Sequence, residues 1–401
     1  MDSDVVVVGA GILGLATARE LLARHPESKV LVLEREDQVG FHQTGHNSGV
    51  IHAGIYYAPG SLKAKLCVEG ARDMFDYCAA KGIEHRRSGK LIVATTEEEL
   101  PRFDELERRG IANQVPDLRR VDADELQGIE PHARGLAALY SPATGVVDFK
   151  DVARALAEDV KAAGGGLRLG TEVTGVDARN GEVGFRLASG EELNAKGAVF
   201  CCGPWSDRMA RAAGADPDPA IVPFRGAYLT LRPDRADLVK SLIYPVPDPT
   251  LPFLGVHLSR HIDDEVTIGP TALMATTRDP RKRAQMRDIA AALGWPGTWR
   301  MARRWWRTGL TEIKHAIVPR TLLRDARRYV PELELEDIQP GHSGIRAQAL
   351  ARDGKLIDDF VFSRTGRVLH VRNAPSPAAT ASLAIARQIA DEVEKAVLTP
   401  A

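Results

Sequence analysis

The stretch Val5-Val6-Val7-Val8-Gly9-Ala10-Gly11-Ile12-Leu13-Gly14 runs four β-branched residues directly into glycines spaced as GxGxxG. A valine run of this kind suits a strand buried on both faces of a parallel sheet. Leu15, Ala18, Leu21 and Leu22 follow at helical spacing, Pro26 breaks the pattern, and Val30-Leu31-Val32-Leu33 predicts a second strand ending at Glu34. The order is strand, glycine turn, helix, strand, acid, with the acid 20 residues past the last glycine. In that context Gly9 makes the tight turn, Gly11 lets the backbone approach a pyrophosphate, and Gly14 lets helix and strand pack closely. The helix N-terminus offers N–H donors, and Glu34 accepts from ribose hydroxyls while repelling a 2′-phosphate. A dinucleotide is the ligand this arrangement predicts. No Gly-Lys-Ser/Thr follows the glycines, which excludes a P-loop.

Around that motif lies a chain of 401 residues, a length that predicts two or three domains. Its 53 Lys+Arg nearly balance 54 Asp+Glu, so a general nucleic-acid binder, which needs a basic excess, is excluded. A hydrophobic fraction of 44% excludes a disordered chain. Four cysteines, Cys67, Cys78, Cys201 and Cys202, are too few for a disulfide framework. None lies in a CxxC pair, so buried reduced thiols and no metal site are expected. The longest apolar run, 5–16, is about half the ~20 residues that span a bilayer. It follows Asp2 and Asp4 rather than a basic segment, unlike a signal peptide, and a soluble cytoplasmic protein is expected.

Two distant segments extend the reading. A predicted helix over 152–163 is followed by short strands with turns at Asn180-Gly181 and Ser189-Gly190. They end in Ala198-Val199-Phe200-Cys201-Cys202-Gly203-Pro204-Trp205-Ser206. Near the C-terminus, a predicted strand over 367–372 leads through Asn373-Ala374-Pro375-Ser376-Pro377-Ala378-Ala379-Thr380 into a helix over about 381–397. That helix carries Ile385, Ile389, Val393 and Val397 on one face.

Together these segments resemble the D-amino-acid-oxidase superfamily of FAD enzymes. The resemblance implies FAD rather than NAD, and an α/β fold. A Rossmann-like FAD-binding domain of the glutathione-reductase type would be interleaved with an α+β substrate domain on a mixed or antiparallel sheet. The FAD-binding domain is expected over 1–85, 146–207 and 338–401, and the substrate domain over 86–145 and 208–337. The last helix would point its N-terminus at the flavin, where it stabilises negative charge on the reduced ring.

Longer strings sharpen the resemblance. Phe41-His42-Gln43-Thr44-Gly45-His46-Asn47-Ser48-Gly49-Val50-Ile51-His52-Ala53-Gly54-Ile55-Tyr56-Tyr57 is too polar and aromatic for a core element. With Pro223-Phe224-Arg225-Gly226, Pro252-Phe253-Leu254-Gly255-Val256-His257, Gly344-Ile345-Arg346-Ala347-Gln348-Ala349, Lys355-Leu356-Ile357-Asp358-Asp359-Phe360 and 373–380, it resembles the L-2-hydroxyglutarate oxidase/dehydrogenase family. The chain departs from that family at Thr271, Thr276 and Thr277, where Asn, Phe and Lys are common. It departs also at Ala227, often an acid, and at His342-Ser343, often Pro-Ala.

The resemblance implies oxidation of a small-molecule 2-hydroxy acid, with oxygen or a quinone as electron acceptor. Such chemistry needs a cation for the carboxylate, a base for the hydroxyl proton and a hydride acceptor. Arg346 is the expected carboxylate clamp, because its Gly-Ile-Arg setting resembles the carboxylate-binding segment of amino-acid oxidases and guanidinium meets a carboxylate bidentately. His52 and His257 are the candidate bases, His52 the favoured one, and Lys355 is a candidate for charge near the flavin. Arg225, Tyr57 and Gln348 are further candidates for substrate contact. The resemblance also implies cofactor contacts from Gly9, Gly11, Ile12, Gly14, Glu34, Arg35, His42, Thr44, Gly45, His46, Asn47, Ser48, Val173, Gly203, Trp205, Asn373, Ala374, Pro375 and Ser376. His42, in a His-x-x-Gly setting, is a candidate for covalent attachment, with non-covalent FAD the favoured form. An amine or amino-acid oxidase on the same fold, or a dinucleotide-binding scaffold without turnover, are the alternatives.

Residues 295–307 hold four of the five tryptophans and several arginines. A helix of that composition suits peripheral contact with a membrane surface and a quinone pool; the simpler expectation is buried indoles with solvated guanidiniums.

Overall fold

The computed structural model describes residues 2–178, 181–249 and 254–395. Asn180 of the predicted turn, Pro252 and Phe253, and Val397 of the predicted helix face lie outside them.

The valine run forms the strand Ser3–Val8, which pairs in parallel with Val30–Leu33 on one side and Glu192–Phe200 on the other. Gly166–Arg168 continues the parallel sheet beyond Val30–Leu33, and Val368–Asn373 continues it beyond the C-terminal half of Glu192–Phe200. Side chains alternate across such a strand. Val5 and Val7 enter the core beneath helices Ile12–Arg24, Phe149–Ala162 and Ser382–Val393, while Val6 and Val8 enter a second core with Phe185, Leu187 and Phe200. The helix expected over 152–163 begins earlier, at Phe149, because Asp148 caps it by accepting from Lys150 N at 2.8 Å.

The final helix, Ser382–Val393, buries Ile385, Ile389 and Val393 against Ile12–Arg24 and Leu62–Lys81. Arg24 Nη1 donates to Asp391 Oδ1 at 2.6 Å, joining the first and last helices. Gly70 permits the approach, since a Cβ there would lie 2.5 Å from Ala381 Cα.

The second large sheet is mixed. Lys90–Ala94 runs parallel to Leu242–Pro245 and antiparallel to Ala137–Ser141. Ala220–Leu231 pairs antiparallel with Ile338–Leu350 over almost its whole length, from Ala220↔Leu350 to Leu231↔Ile338. That pairing puts 338–350 in the second sheet, whereas the sequence reading grouped it with the first. His257–Arg260 lies between Leu242–Pro245 and Val266–Gly269.

A buried ion pair fastens the two layers. Arg278 is 2% exposed and pairs with Asp207, while donating to Pro204 O at 2.7 Å and Ile221 O at 2.8 Å. It thereby fixes the turn Gly203–Trp205 to the strand Ala220–Leu231. All four cysteines are free; Cys67 and Cys78 are buried and Cys201 and Cys202 half-buried. Among the described residues no helix is long and apolar enough to cross a membrane, and no cluster of His, Cys, Asp and Glu is arranged for a metal.

Candidate active site

A cavity of about 1510 Å³ runs from the glycine turn, beneath the 373–380 loop, to the second sheet. It exceeds the roughly 300–1,000 Å³ of a single small-ligand pocket, leaving room for a dinucleotide and a small substrate.

At one end the backbone is shaped for close approach. A Cβ on Gly14 would lie 1.9 Å from Gly9 O, and one on Gly9 would lie 2.4 Å from Cys201 O. Gly11 faces open space, with only Thr44 Oγ1 within reach at 3.4 Å, and Thr44 Oγ1 accepts from Ile12 N at 3.0 Å. The Glu34 carboxylate accepts from Ala10 N at 2.7 Å and Glu36 N at 3.0 Å; burial pushes its pKa up against those bonds. Arg35 lies 4.3 Å from the Trp205 ring, and His42 stands edge-on to the same ring at 4.7 Å. Burial, then Arg35, lowers the His42 pKa to about 4. Its Nε2 is 3.3 Å from Glu36 Oε1 yet lacks hydrogen-bond geometry. Val173, Gly203, His46, Asn47 and Ser48 line the same end, and Asn373, Ala374, Pro375 and Ser376 line the cavity from there toward His52. Gly14 and Gly45 shape the turns without lining the cavity. An open glycine turn, a helix N-terminus and a buried acid fit an adenine dinucleotide such as FAD.

At the other end stand His52, His257 and Arg346, with Tyr57, Tyr228, Tyr244 and Gln348. His257 Nδ1 lies 3.0 Å from Gly255 O. A carbonyl only accepts, so Nδ1 carries the proton and Nε2 keeps its lone pair. His52 Nε2 is 3.4 Å from Ser376 Oγ. Burial lowers the pKa of each imidazole to about 3, and for His52 the positive groups Lys90 and Lys63 add to it. Both are therefore neutral at pH 7.

Arg346 lies opposite Phe224 in the strand pair, beside Gly226. A Cβ on Gly226 would lie at van der Waals distance, 3.4 Å, from Arg346 Nε, and 3.2 Å from Pro270 Cβ. Tyr228 lines the cavity as well, while Ala227 between them does not, as strand alternation requires. Thr271, Thr276, Thr277, His342 and Ser343 are also outside the lining. Arg225 lies outside it too, donating to Ser343 Oγ at 3.0 Å. Lys355 is exposed on a turn and does not reach the cavity.

The sequence reading passed over Lys63, Lys90 and Tyr244. Lys63 is buried, lines the cavity, and donates to Asp358 Oδ1 at 2.7 Å. A signal for it existed: Lys63, Leu66, Cys67 and Gly70 share the buried face of the helix Leu62–Lys81.

Comparison with known proteins agrees with this geometry. Residues 4–392 match the family described as FAD dependent oxidoreductase. The mitochondrial L-2-hydroxyglutarate dehydrogenase of Homo sapiens is 44% identical over 410 residues, covering 98% of this chain and 89% of that protein. The L-2-hydroxyglutarate dehydrogenase of Escherichia coli K12 is 42% identical over 393 residues, covering 98% and 93%. In fold, the chain is similar to the FAD-bound L-alpha-glycerophosphate oxidase of Mycoplasma pneumoniae, with a TM-score of 0.79, 24% identity and coverage of 99% and 95%. It is similar also to the glycine oxidase of Geobacillus kaustophilus, with a TM-score of 0.72, 20% identity and coverage of 98% and 95%. The chain belongs to the FAD-dependent oxidoreductase family and, within it, to the L-2-hydroxyglutarate oxidase/dehydrogenase family.

Proposed function

We propose that this protein oxidises L-2-hydroxyglutarate to 2-oxoglutarate, with FAD held along the glycine turn and the 373–380 loop. The observation that carries the reading is a guanidinium with no carboxylate partner among the described residues, Arg346, in one cavity with two neutral imidazoles. Arg346 binds the substrate's C1 carboxylate bidentately. His52 accepts the hydroxyl proton at Nε2, and Ser376 Oγ beside that atom orients it. His257, its tautomer set by Gly255 O, presents a second lone pair to the substrate. FAD, when bound, supplies the acceptor for the hydride from the substrate's C2. Ala227, Thr271, Thr276, Thr277, His342 and Ser343, where the chain departs from the family strings, lie outside the cavity lining, which supports the same substrate.

Anaerobic mixing with L-2-hydroxyglutarate tests this, and rapid bleaching of the flavin band near about 450 nm is expected. Bleaching by an amino acid but not by either enantiomer of 2-hydroxyglutarate would make the protein an amino-acid oxidase.

We further propose that electrons leave to oxygen or to a quinone at a membrane surface. Supporting the latter, the helix Pro296–Ile317 exposes Trp299, Trp306, Leu310, Ile313 and Ile317 among its arginines, contrary to the expectation of buried indoles; Trp295 alone is fully buried. Co-sedimentation with anionic liposomes at low salt is expected, and a protein that stays in the supernatant argues for a soluble acceptor.

A further inference from the structure

Lys63 stands in the first turn of the helix Leu62–Lys81, just after the Ser61 cap, whose Oγ accepts from Ala64 N at 3.2 Å. A cation there opposes the helix dipole, and no acid in that turn offsets it. The residue is also sunk, 5% exposed, and it lines the cavity. A lysine that breaks a local preference and leaves water needs either a strong partner or a ligand.

The partner it has is a weak one. Lys63 Nζ donates to Asp358 Oδ1 at 2.7 Å and to Asp358 O at 3.1 Å. The Asp358 side chain is 85% exposed, so water screens most of its charge. An ammonium carries three donors, and Asp358 engages two of them. The third meets no acceptor among the described residues, and the Tyr57 ring, its centroid 5.0 Å from Nζ, covers one side.

The placement relative to the imidazoles is what gives this cation a use. Lys63 acts on His52, Arg346 acts on His257, and the two imidazoles act on each other. Lys63 and Arg346 therefore flank the imidazole pair, and both line the same cavity. Arg102 and Arg109 line it too, but their side chains are partly exposed, where water screens the pull on an anion.

We infer that Lys63 binds the C5 carboxylate of L-2-hydroxyglutarate, and so makes the site select a dicarboxylic over a monocarboxylic 2-hydroxy acid. The inference rests on the reading of Arg346 as the clamp for C1. With C1 on Arg346 and C5 on Lys63, the carbon chain crosses the imidazole pair and brings C2 within its reach. The third N–H of Lys63 donates to the incoming carboxylate, while Asp358 is free to turn further into water. The lysine serves binding and not the base. A cation beside His52 disfavours protonation of that ring, and a bound C5 carboxylate offsets the effect.

Two unreactive 2-oxo acids test this on the holoenzyme, each titrated through its perturbation of the flavin absorption band. They are 2-oxoglutarate and 2-oxopentanoate, which keeps the chain length and lacks the C5 carboxylate. Wild type is expected to bind 2-oxoglutarate at least about tenfold more tightly. Lys63→Met, which keeps most of the side-chain volume without the charge, is expected to lose about tenfold for 2-oxoglutarate and to stay within about twofold for 2-oxopentanoate. In stopped-flow reduction by L-2-hydroxyglutarate, its dissociation constant should rise by more than its limiting rate falls. A Met variant that keeps the wild-type preference overturns the inference. So does one that loses both ligands equally, since the lysine would then be structural.

Failure of the substrate reading looks different. A wild-type flavin that L-2-hydroxyglutarate fails to bleach counts against the reaction, while the two oxo acids still decide the role of Lys63. If Lys63→Met does not fold, the exposed partner supplies the test. Asp358→Asn removes a competing carboxylate and is expected to tighten 2-oxoglutarate binding by about twofold or more, with 2-oxopentanoate unchanged. An affinity for 2-oxoglutarate that does not rise refutes the assignment.

Discussion

Replacing Arg346 by alanine removes a cation that pairs with no carboxylate among the described residues. Nothing inside the protein is orphaned by the change, so its cost falls on the substrate. A hydrogen bond to a charged group contributes about 1.5–3 kcal/mol net, and a bidentate pair makes two. Arg346 is only half-buried, so water screens part of that sum, and about 3 kcal/mol is a fair total. This corresponds to about 150-fold weaker substrate binding. Arg346→Lys keeps a point charge but loses the planar fork, and about tenfold is expected. Anaerobic stopped-flow reduction separates the dissociation constant, from saturation, from the limiting rate. The expected pattern is a large rise in the former and a smaller fall in the latter. An alanine variant that binds L-2-hydroxyglutarate within twofold of wild type would show that the carboxylate is held elsewhere.

Gly14→Ala puts a methyl 1.9 Å from Gly9 O, so the variant is expected to purify without yellow colour, and an FAD-replete preparation would contradict the role given to the turn. His52→Ala should slow flavin reduction by about 10²–10⁴ with little change in substrate affinity, whereas an equal loss in His257→Ala alone would transfer the base role to His257. Burial holds His42 and His370 at about 4 and His52 and His257 at about 3, below the ordinary 6.5. The unfolded chain therefore binds these protons first, and stability present above about pH 6.5 declines as pH falls toward the folded values. Up to about 2 kcal/mol per histidine is expected to be lost by pH 5, read as a lower urea midpoint than at pH 7; equal midpoints would refute it. Arg278→Met strands Asp207 in the core and should cost about 3–5 kcal/mol, visible as a large drop in melting temperature.

The parts legible in the sequence are those set by local pattern. The four valines, the glycine spacing and Glu34 predict strand, turn and acid because each is decided by near neighbours along the chain. The strand Ile338–Leu350 resisted such reading. Pro340, Gly341, His342, Ser343 and Gly344 lack a two-residue alternation, and the segment is extended because Ala220–Leu231 pairs with it. Arg346, named from its Gly-Ile-Arg setting, lies in the cavity lining. Lys63 and Lys90 were not legible, because a lysine read alone is taken as solvated, and only tertiary packing brings Tyr56 and Tyr244 against Lys90. Lys355 shows the opposite failure: a lysine in a family-like string that the fold leaves on an exposed turn.

The neighbours in the parallel sheet are far apart in the order of synthesis. Val8 pairs with Phe200, and the strand beyond it begins at Val368, some 360 residues after the first. At roughly 5–20 residues per second, a ribosome needs about 20–70 s between making the first strand and the strand that completes the sheet. During that interval the helix Ile12–Arg24 lacks Ser382–Val393, and the apolar face they share is bare. The dinucleotide cavity closes only when the 373–380 loop emerges, so a nascent chain presents the glycine turn long before it can enclose a cofactor. The enclosed cavity therefore forms late in synthesis, after the chain has passed residue 380.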